Sequence, residues 1–290
     1  MIFYRPILHR PILQRGALAF GLVFVFCAVA TAQWGPAGNM GRPPAHLKPQ
    51  RDIFPGNKFT FCTVAYTSVR GEQLGFGWNT DYPDSGFNFM IRLEELTTIE
   101  ISKKPNGDPN QVVVELTDEE LFDYPYIFMS DVGTAEFSDA EVEALRSYLL
   151  RGGFLHVDDF WGQRAWNYWE MEIEKVLPPK EGYHWRDLPL THEMFHIVFS
   201  VKEVPQVPSI QYWRGSRDGT TSERGLSTAE AHLRYIAEPD TGRIMVLMSH
   251  NTDIADGWEK EREDEAYFRE FSVKKSYPIG INIIAYVMTH

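Results

Sequence analysis

Cysteine is almost missing from this chain of 290 residues: there are two, Cys27 and Cys62. Cys27 falls inside an N-terminal apolar run that reads as removable, and Cys62 alone cannot form an intrachain disulfide, whatever the redox compartment. Stability must then come from the core, or from a ligand or metal. Positive charge is also scarce, with 28 Lys and Arg against 40 Asp and Glu and a formal net charge of -12. Such a balance makes a poor nucleic-acid binder. Past residue 33 no apolar run reaches the roughly 20 residues a spanning helix needs. There is no G-x-S-x-G elbow and no P-loop, so serine-hydrolase and NTPase chemistry are excluded. Gly75-Phe76-Gly77 begins like a dinucleotide fingerprint, but Thr80 stands where the third glycine belongs.

The N-terminus carries Arg5, Arg10 and Arg15, then an apolar stretch from Gly16 to Ala30, then Ala30-Thr31-Ala32. A basic region, a short apolar region and a small-x-small site predict a secretory signal peptide over 1–32, with a periplasmic or secreted product. Phe26 directly before Cys27 argues against a lipoprotein signal. Cleavage after Ala32 removes three arginines and no acids, so 25 basic against 40 acidic residues leave -15. Residues 33–57 are rich in Gly, Pro and Asn without periodicity and read as a flexible linker. The domain is expected over 58–290, and membrane contact only through the signal segment.

What the chain does have is 43% apolar and 14% aromatic residues, ample for a core. Its organising stretch is Tyr148 to Gly162. A helix with Ser138 as N-cap and Glu141 in a capping box ends at Gly152-Gly153. Phe154-Leu155-His156-Val157 then reads as a buried parallel strand that delivers Asp158 and Asp159 at its carboxyl end, where ligands sit in open α/β sheets. Strands are expected at 59–66, 111–116 and 126–129, the last ending at Asp131, with helices at 85–96 and 165–177. Residues 209–213 read as a strand, 234–237 and 243–248 as a pair joined by a turn, and 280–288 as a closing helix. The alternation predicts a parallel sheet with right-handed crossovers.

Leu121 to Met129, Leu149 to Asp159, Leu188 to His192, Gly242 to Val246 and Ile279 to Asn282 together resemble the bacterial family of unknown function DUF4159, over about 58–290. The resemblance implies a flavodoxin-like, doubly wound α/β sheet of the class I glutamine-amidotransferase-like group, and no established reaction. Glutaminases place a cysteine on a tight elbow. Here Cys62 sits in the first strand instead, which excludes glutamine hydrolysis.

His192-Glu193-Met194-Phe195-His196 matches H-E-x-x-H, in which two histidines one turn apart bind zinc and the glutamate activates water. Pro189 before it and Ile197 to Val201 after it leave room for little more than one turn, and the resembled family usually carries Asp-His-Pro here. Asp158 and Asp159 have two readings: one caps the next helix while the other pairs with an arginine such as Arg164, or both join Asp131 in an acidic crevice for sugar hydroxyls or a divalent metal, magnesium or calcium before zinc. His156 is expected buried and hydrogen-bonded. Ser249 to Asp253, including His250 and Asn251, follows an apolar strand and could line the same edge or be a turn. Trp78, with Asp81 and Tyr82, suits a sugar-facing or protein-facing rim. The expectation is an exported domain binding a carbohydrate or cell-envelope partner, with a metal-dependent hydrolase and a structural module as alternatives.

Overall fold

The structure, a computed structural model, describes residues 58–216 and 219–290; the expected signal peptide and linker lie outside the described residues. Among the described residues nine strands form: β1 (Cys62–Ala65), β2 (Thr67–Ser68), β3 (Val112–Glu115), β4 (Tyr126–Ser130), β5 (Ala135–Glu136), β6 (Phe154–Phe160), β7 (Trp185–Asp187), β8 (His232–Ala237) and β9 (Ile244–His250). The helices are α1 (Asp84–Leu96), α2 (Asp139–Leu150), α3 (Gly162–Val176), α4 (Ile210–Gly215), α5 (Asp256–Glu259), α6 (Glu265–Tyr267) and α7 (Tyr277–Thr289), with a π-helix, Phe268–Ser276, leading into α7.

The main sheet runs β3-β1-β4-β6-β9-β8-β7. The first five strands pair in parallel, and β8 and β7 extend the sheet antiparallel beyond β9. β2 and β5 make a separate antiparallel ribbon. This is a mixed α/β fold on a mostly parallel seven-stranded sheet.

Alternation along the strands explains the layers. Ile127, Met129, Leu155 and Val157 face Leu145 and Leu149 of α2 and Trp169 and Ile173 of α3. Tyr126, Phe128 and Phe154 face the other way, onto Phe89 and Leu93 of α1, Trp258 of α5 and Ile281 and Ile284 of α7. Each fully buried side chain of this size contributes about 1.5–3 kcal/mol of transfer free energy. Among the described residues no helix is long and apolar enough to cross a membrane.

The turn into β6 follows from its glycines. The capping box of α2 is complete, with the Glu141 N–H donating to Ser138 Oγ and the Ser138 N–H donating to Glu141 Oε2. The helix ends at Gly152, at φ +107°, and a Cβ on Gly153 would lie 2.3 Å from the Tyr148 ring. The predicted hairpin of β8 and β9 is present, closed by bonds between Glu238 and both Gly242 and Arg243. One expectation fails. Residues 209–213 do not form a strand, because Ser209 Oγ accepts the Tyr212 N–H and starts helix α4.

Candidate functional site

The β6 end departs from a simple strand terminus, and this departure makes the site. β6 continues to Phe160, but between Val157 and Phe160 it carries one residue more than β9 does between Met248 and His250. The extra residue is a β-bulge, with Asp159 left-handed at φ +51°. The bulge turns Asp159 into a cavity of about 490 Å³, where Asp81, Asp253, Asp256, Glu259 and Glu223 also converge. Asp81 lies just before α1 at φ +65°. Asp253 lies between β9 and α5 and Asp256 opens α5, the two tied together by the Asp256 N–H donating to Asp253 Oδ1 at 2.9 Å. Asp and Asn tolerate this left-handed backbone better than other side chains.

Asp81, Asp159 and Asp253 each offer one oxygen, all within 4.8 Å of one another, and Asp81, Asp256 and Glu259 form a second such group. Oxygens on opposite sides of Mg²⁺ or Ca²⁺ stand about 4.2 to 4.8 Å apart, given ligand distances near 2.1 and 2.4 Å. Among the described residues the one basic side chain in the cavity lining is Lys260, which pairs with Glu259 at 2.9 Å. Burial therefore dominates the acid–base behaviour. It holds Asp81 well above the usual carboxylate range, helped by the charges of Asp256, Glu259 and Asp158. Asp159 and Asp253 are held up in the same way, by burial first, and then Asp159 by the charges of Asp81 and Asp131 and Asp253 by those of Asp159 and Asp81. Asp256 is raised by burial to about 7, although Tyr267 donates to its Oδ2 at 2.6 Å. Buried carboxylates that repel one another either keep protons or take a cation.

Asp158 does not line the cavity. It lies beneath it, fully buried, with Oδ2 accepting the Ala255 N–H at 2.8 Å, and burial raises it to about 7. Asp131 stands at the end of β4, at φ +53°, with Oδ2 accepting the Gly77 N–H at 2.9 Å. Burial and the Glu72 charge raise it to about 7 against the pull of that N–H, Arg70 and Arg224. Neither Asp158 nor Asp159 caps α3; the first N–H of that helix is taken by Asn251 Oδ1. Arg164 stands over the Tyr168 ring, away from both carboxylates.

His250 and Asn251 are buried and do not line the cavity. His250 Nδ1 lies 3.1 Å from Arg234 and Nε2 3.2 Å from the Gly162 carbonyl oxygen, and burial lowers its pKa to about 3. Asn251, at φ +59°, spends its amide group on Gly162 and on the Glu230 carbonyl. Trp78 is no rim residue: it is buried in the core, with its ring 5.8 Å from that of Tyr82, which does line the cavity. His156 is buried between Tyr126 and Ser249, 3.0 Å from each hydroxyl.

The H-E-x-x-H segment is a single 3₁₀ turn, Glu193–Phe195, and cannot put two histidines one α-turn apart. His192 Nδ1 accepts the Met194 N–H, His196 Nε2 lies 2.8 Å from the Leu190 carbonyl oxygen, and Glu193 pairs with His290. Among the described residues, His192, Glu193 and His196 are not a group whose ligand atoms converge. Asp256, Glu259 and Glu223 escape sequence reasoning because they lie in short segments without periodicity. The signal available was the density of acids in Asp253 to Glu263 after an apolar strand.

A family model, that of a domain of unknown function (DUF4159), matches residues 60–288. Comparison with curated proteins finds no match.

Proposed function

The chain belongs to the DUF4159 family, whose description assigns no activity, and we propose that it is an exported, divalent-cation-dependent protein holding a hydroxyl-rich cell-envelope ligand in the carboxylate cleft. One observation carries the reading: Asp81, Asp159 and Asp253 bring three oxygens within 4.8 Å, in a cavity where Lys260, the one basic side chain among the described lining residues, is already paired with Glu259. All-oxygen donors favour a hard cation, Mg²⁺, Ca²⁺ or Mn²⁺, over zinc. A cation bound on one side by carboxylates keeps positions for sugar hydroxyls on the other, and the partly exposed Tyr82 supplies an aromatic flank. Export rests on the N-terminal sequence alone.

The site's place supports the finer fold reading. Counted along the parallel strands only, the order is 2-1-3-4-5, that of flavodoxin-like sheets, and the cleft opens at their carboxyl ends. An amidotransferase-like ancestry without its nucleophile fits Cys62, whose thiol is pushed up by burial in β1 and then by the Asp118 charge.

A second reading, metal-dependent hydrolysis, is favoured by Asp81, which belongs to both oxygen groups and could bridge two ions as in two-metal hydrolases.

Metal analysis of the purified protein, with its thermal midpoint in EDTA and in added Mg²⁺, Ca²⁺, Mn²⁺ or Zn²⁺, decides among these. One stoichiometric hard cation that raises the midpoint supports the binding reading, and two support hydrolysis. No metal and no shift would sink both.

A further inference from the structure

Beside the acidic cleft lies a second recess of about 360 Å³, of opposite character. Among the described residues Arg70, Arg164 and Arg224 line it against one carboxylate, Glu72, in a chain whose acids outnumber its Lys and Arg by 40 to 28. Gln73 lines both cavities, so the two adjoin.

The arginines are held in place without being used up. Arg70 pairs with Glu72 at 2.5 Å and lies 4.4 Å over the Tyr168 ring, yet its Nε is buried with no hydrogen-bond partner among the described residues. Arg224 donates from Nη2 to the Gln73 carbonyl at 2.7 Å. Its Nη1 is buried, 3.7 Å from Glu223, and likewise has no hydrogen-bond partner among the described residues. A buried guanidinium nitrogen with nothing to donate to calls for an explanation. Arg164 is exposed and stands 5.9 Å over the same Tyr168 ring. The third component is the start of α3, a helix of 15 residues. Its N-cap, Trp161, has no side-chain acceptor to offer, and Asn251 takes only the first N–H. A helix N-terminus draws negative charge, and the planar guanidinium fork matches tetrahedral oxyanions.

We propose that the recess of Arg70, Arg164 and Arg224 receives a phosphate group, so that the cleft's ligand is a phosphate-bearing, hydroxyl-rich molecule bridging the two cavities. The phosphate site stands on its own; only the bridging rests on the cation-cleft reading. The arginines also act on Asp131, whose pKa both Arg70 and Arg224 hold down, so an anion seated there would change the charge felt at the sheet edge.

The test uses inorganic phosphate as probe, by titration calorimetry on the full chain at low salt, in EDTA. Saturable binding of one phosphate per chain is expected, weakened about tenfold or more in Arg164→Ala and Arg70→Ala, the usual range for a charged hydrogen bond. Arg164 is exposed, so its variant should keep the wild-type thermal midpoint; Arg70→Lys, which keeps the charge, should recover part of the binding. Asp253→Asn should bind phosphate at least as well as wild type. Phosphate binding in a chain that holds no cation would leave the recess standing and remove the bridge. No saturable binding, or binding in both alanine variants as tight as in the wild type, overturns the proposal, whatever the metal content.

Discussion

Asp158, Asp256 and Asp131 each carry a carboxyl raised from 3.8 to about 7 by burial. The folded chain keeps protons there that the unfolded chain releases. These groups therefore stabilise fully below about pH 4 and lose that contribution as pH rises through about 7. His156 and His250, lowered by burial to about 3, act the other way, stabilising above their unfolded value and losing it as pH falls. The informative quantity is the difference between cation-loaded and EDTA-treated protein, in which the histidines cancel. The gap in thermal midpoint should widen from pH 4 to 7, as the cation takes over the work of the proton on Asp256, the one of these three carboxyls that lines the cleft. A constant gap would count against a carboxylate-held ion. Asp253→Asn should raise the midpoint in EDTA, by on the order of a few °C, because it removes one of several repelling charges and keeps the oxygen that accepts the Asp256 N–H. The same variant should no longer respond to cation. Asn is the right probe at Asp81 and Asp159 too, since both are left-handed and a longer or branched side chain would disturb the backbone as well as the charge.

At the scale of elements, the loop before α1 is fitted to Asp131. A Cβ on Gly75 would lie 2.4 Å from Asp131 Oδ2, whereas one on Gly71 would meet nothing within 4 Å. Gly75→Ala should therefore cost about 1–3 kcal/mol and, by shifting the loop that presents Asp81, weaken the cation's effect on the midpoint. Gly71→Ala, the control, should leave that effect unchanged. Which elements were legible follows the same physics. Capping residues, glycines and apolar periodicity mark α2, β6 and the β8–β9 hairpin plainly, and they bring attention to Asp158 and Asp159. They do not reveal the bulge, since one unpaired residue in a strand leaves no periodic trace. Ile210, Tyr212 and Trp213 look like strand residues in composition, but the Ser209 cap, a local hydrogen bond, decides for helix. Trp78 looks like a rim residue because aromatic loops often are; only the folded structure shows it packed into the core. The five residues of H-E-x-x-H required a full α-turn, and the neighbouring Pro189 already spoke against one.

At the scale of the whole molecule, the cleft draws on segments that are far apart in the chain: Asp81 ahead of α1, Asp159 in β6, and Asp253 and Asp256 beyond β9. The sheet brings them together, and the sequence alone could not say which acids would meet. β9 is the last strand in the chain and pairs directly with β6, so the oxygen set is complete only when that pairing has formed. This order has a kinetic meaning. A cation cannot guide early folding if its ligands assemble last; it can only hold the finished structure shut. Added Ca²⁺ or Mg²⁺ should slow unfolding in denaturant jumps by the full amount that it stabilises the protein, and leave the refolding rate nearly unchanged. Refolding that speeds up with cation would instead mean that part of the cleft is in place before the sheet closes.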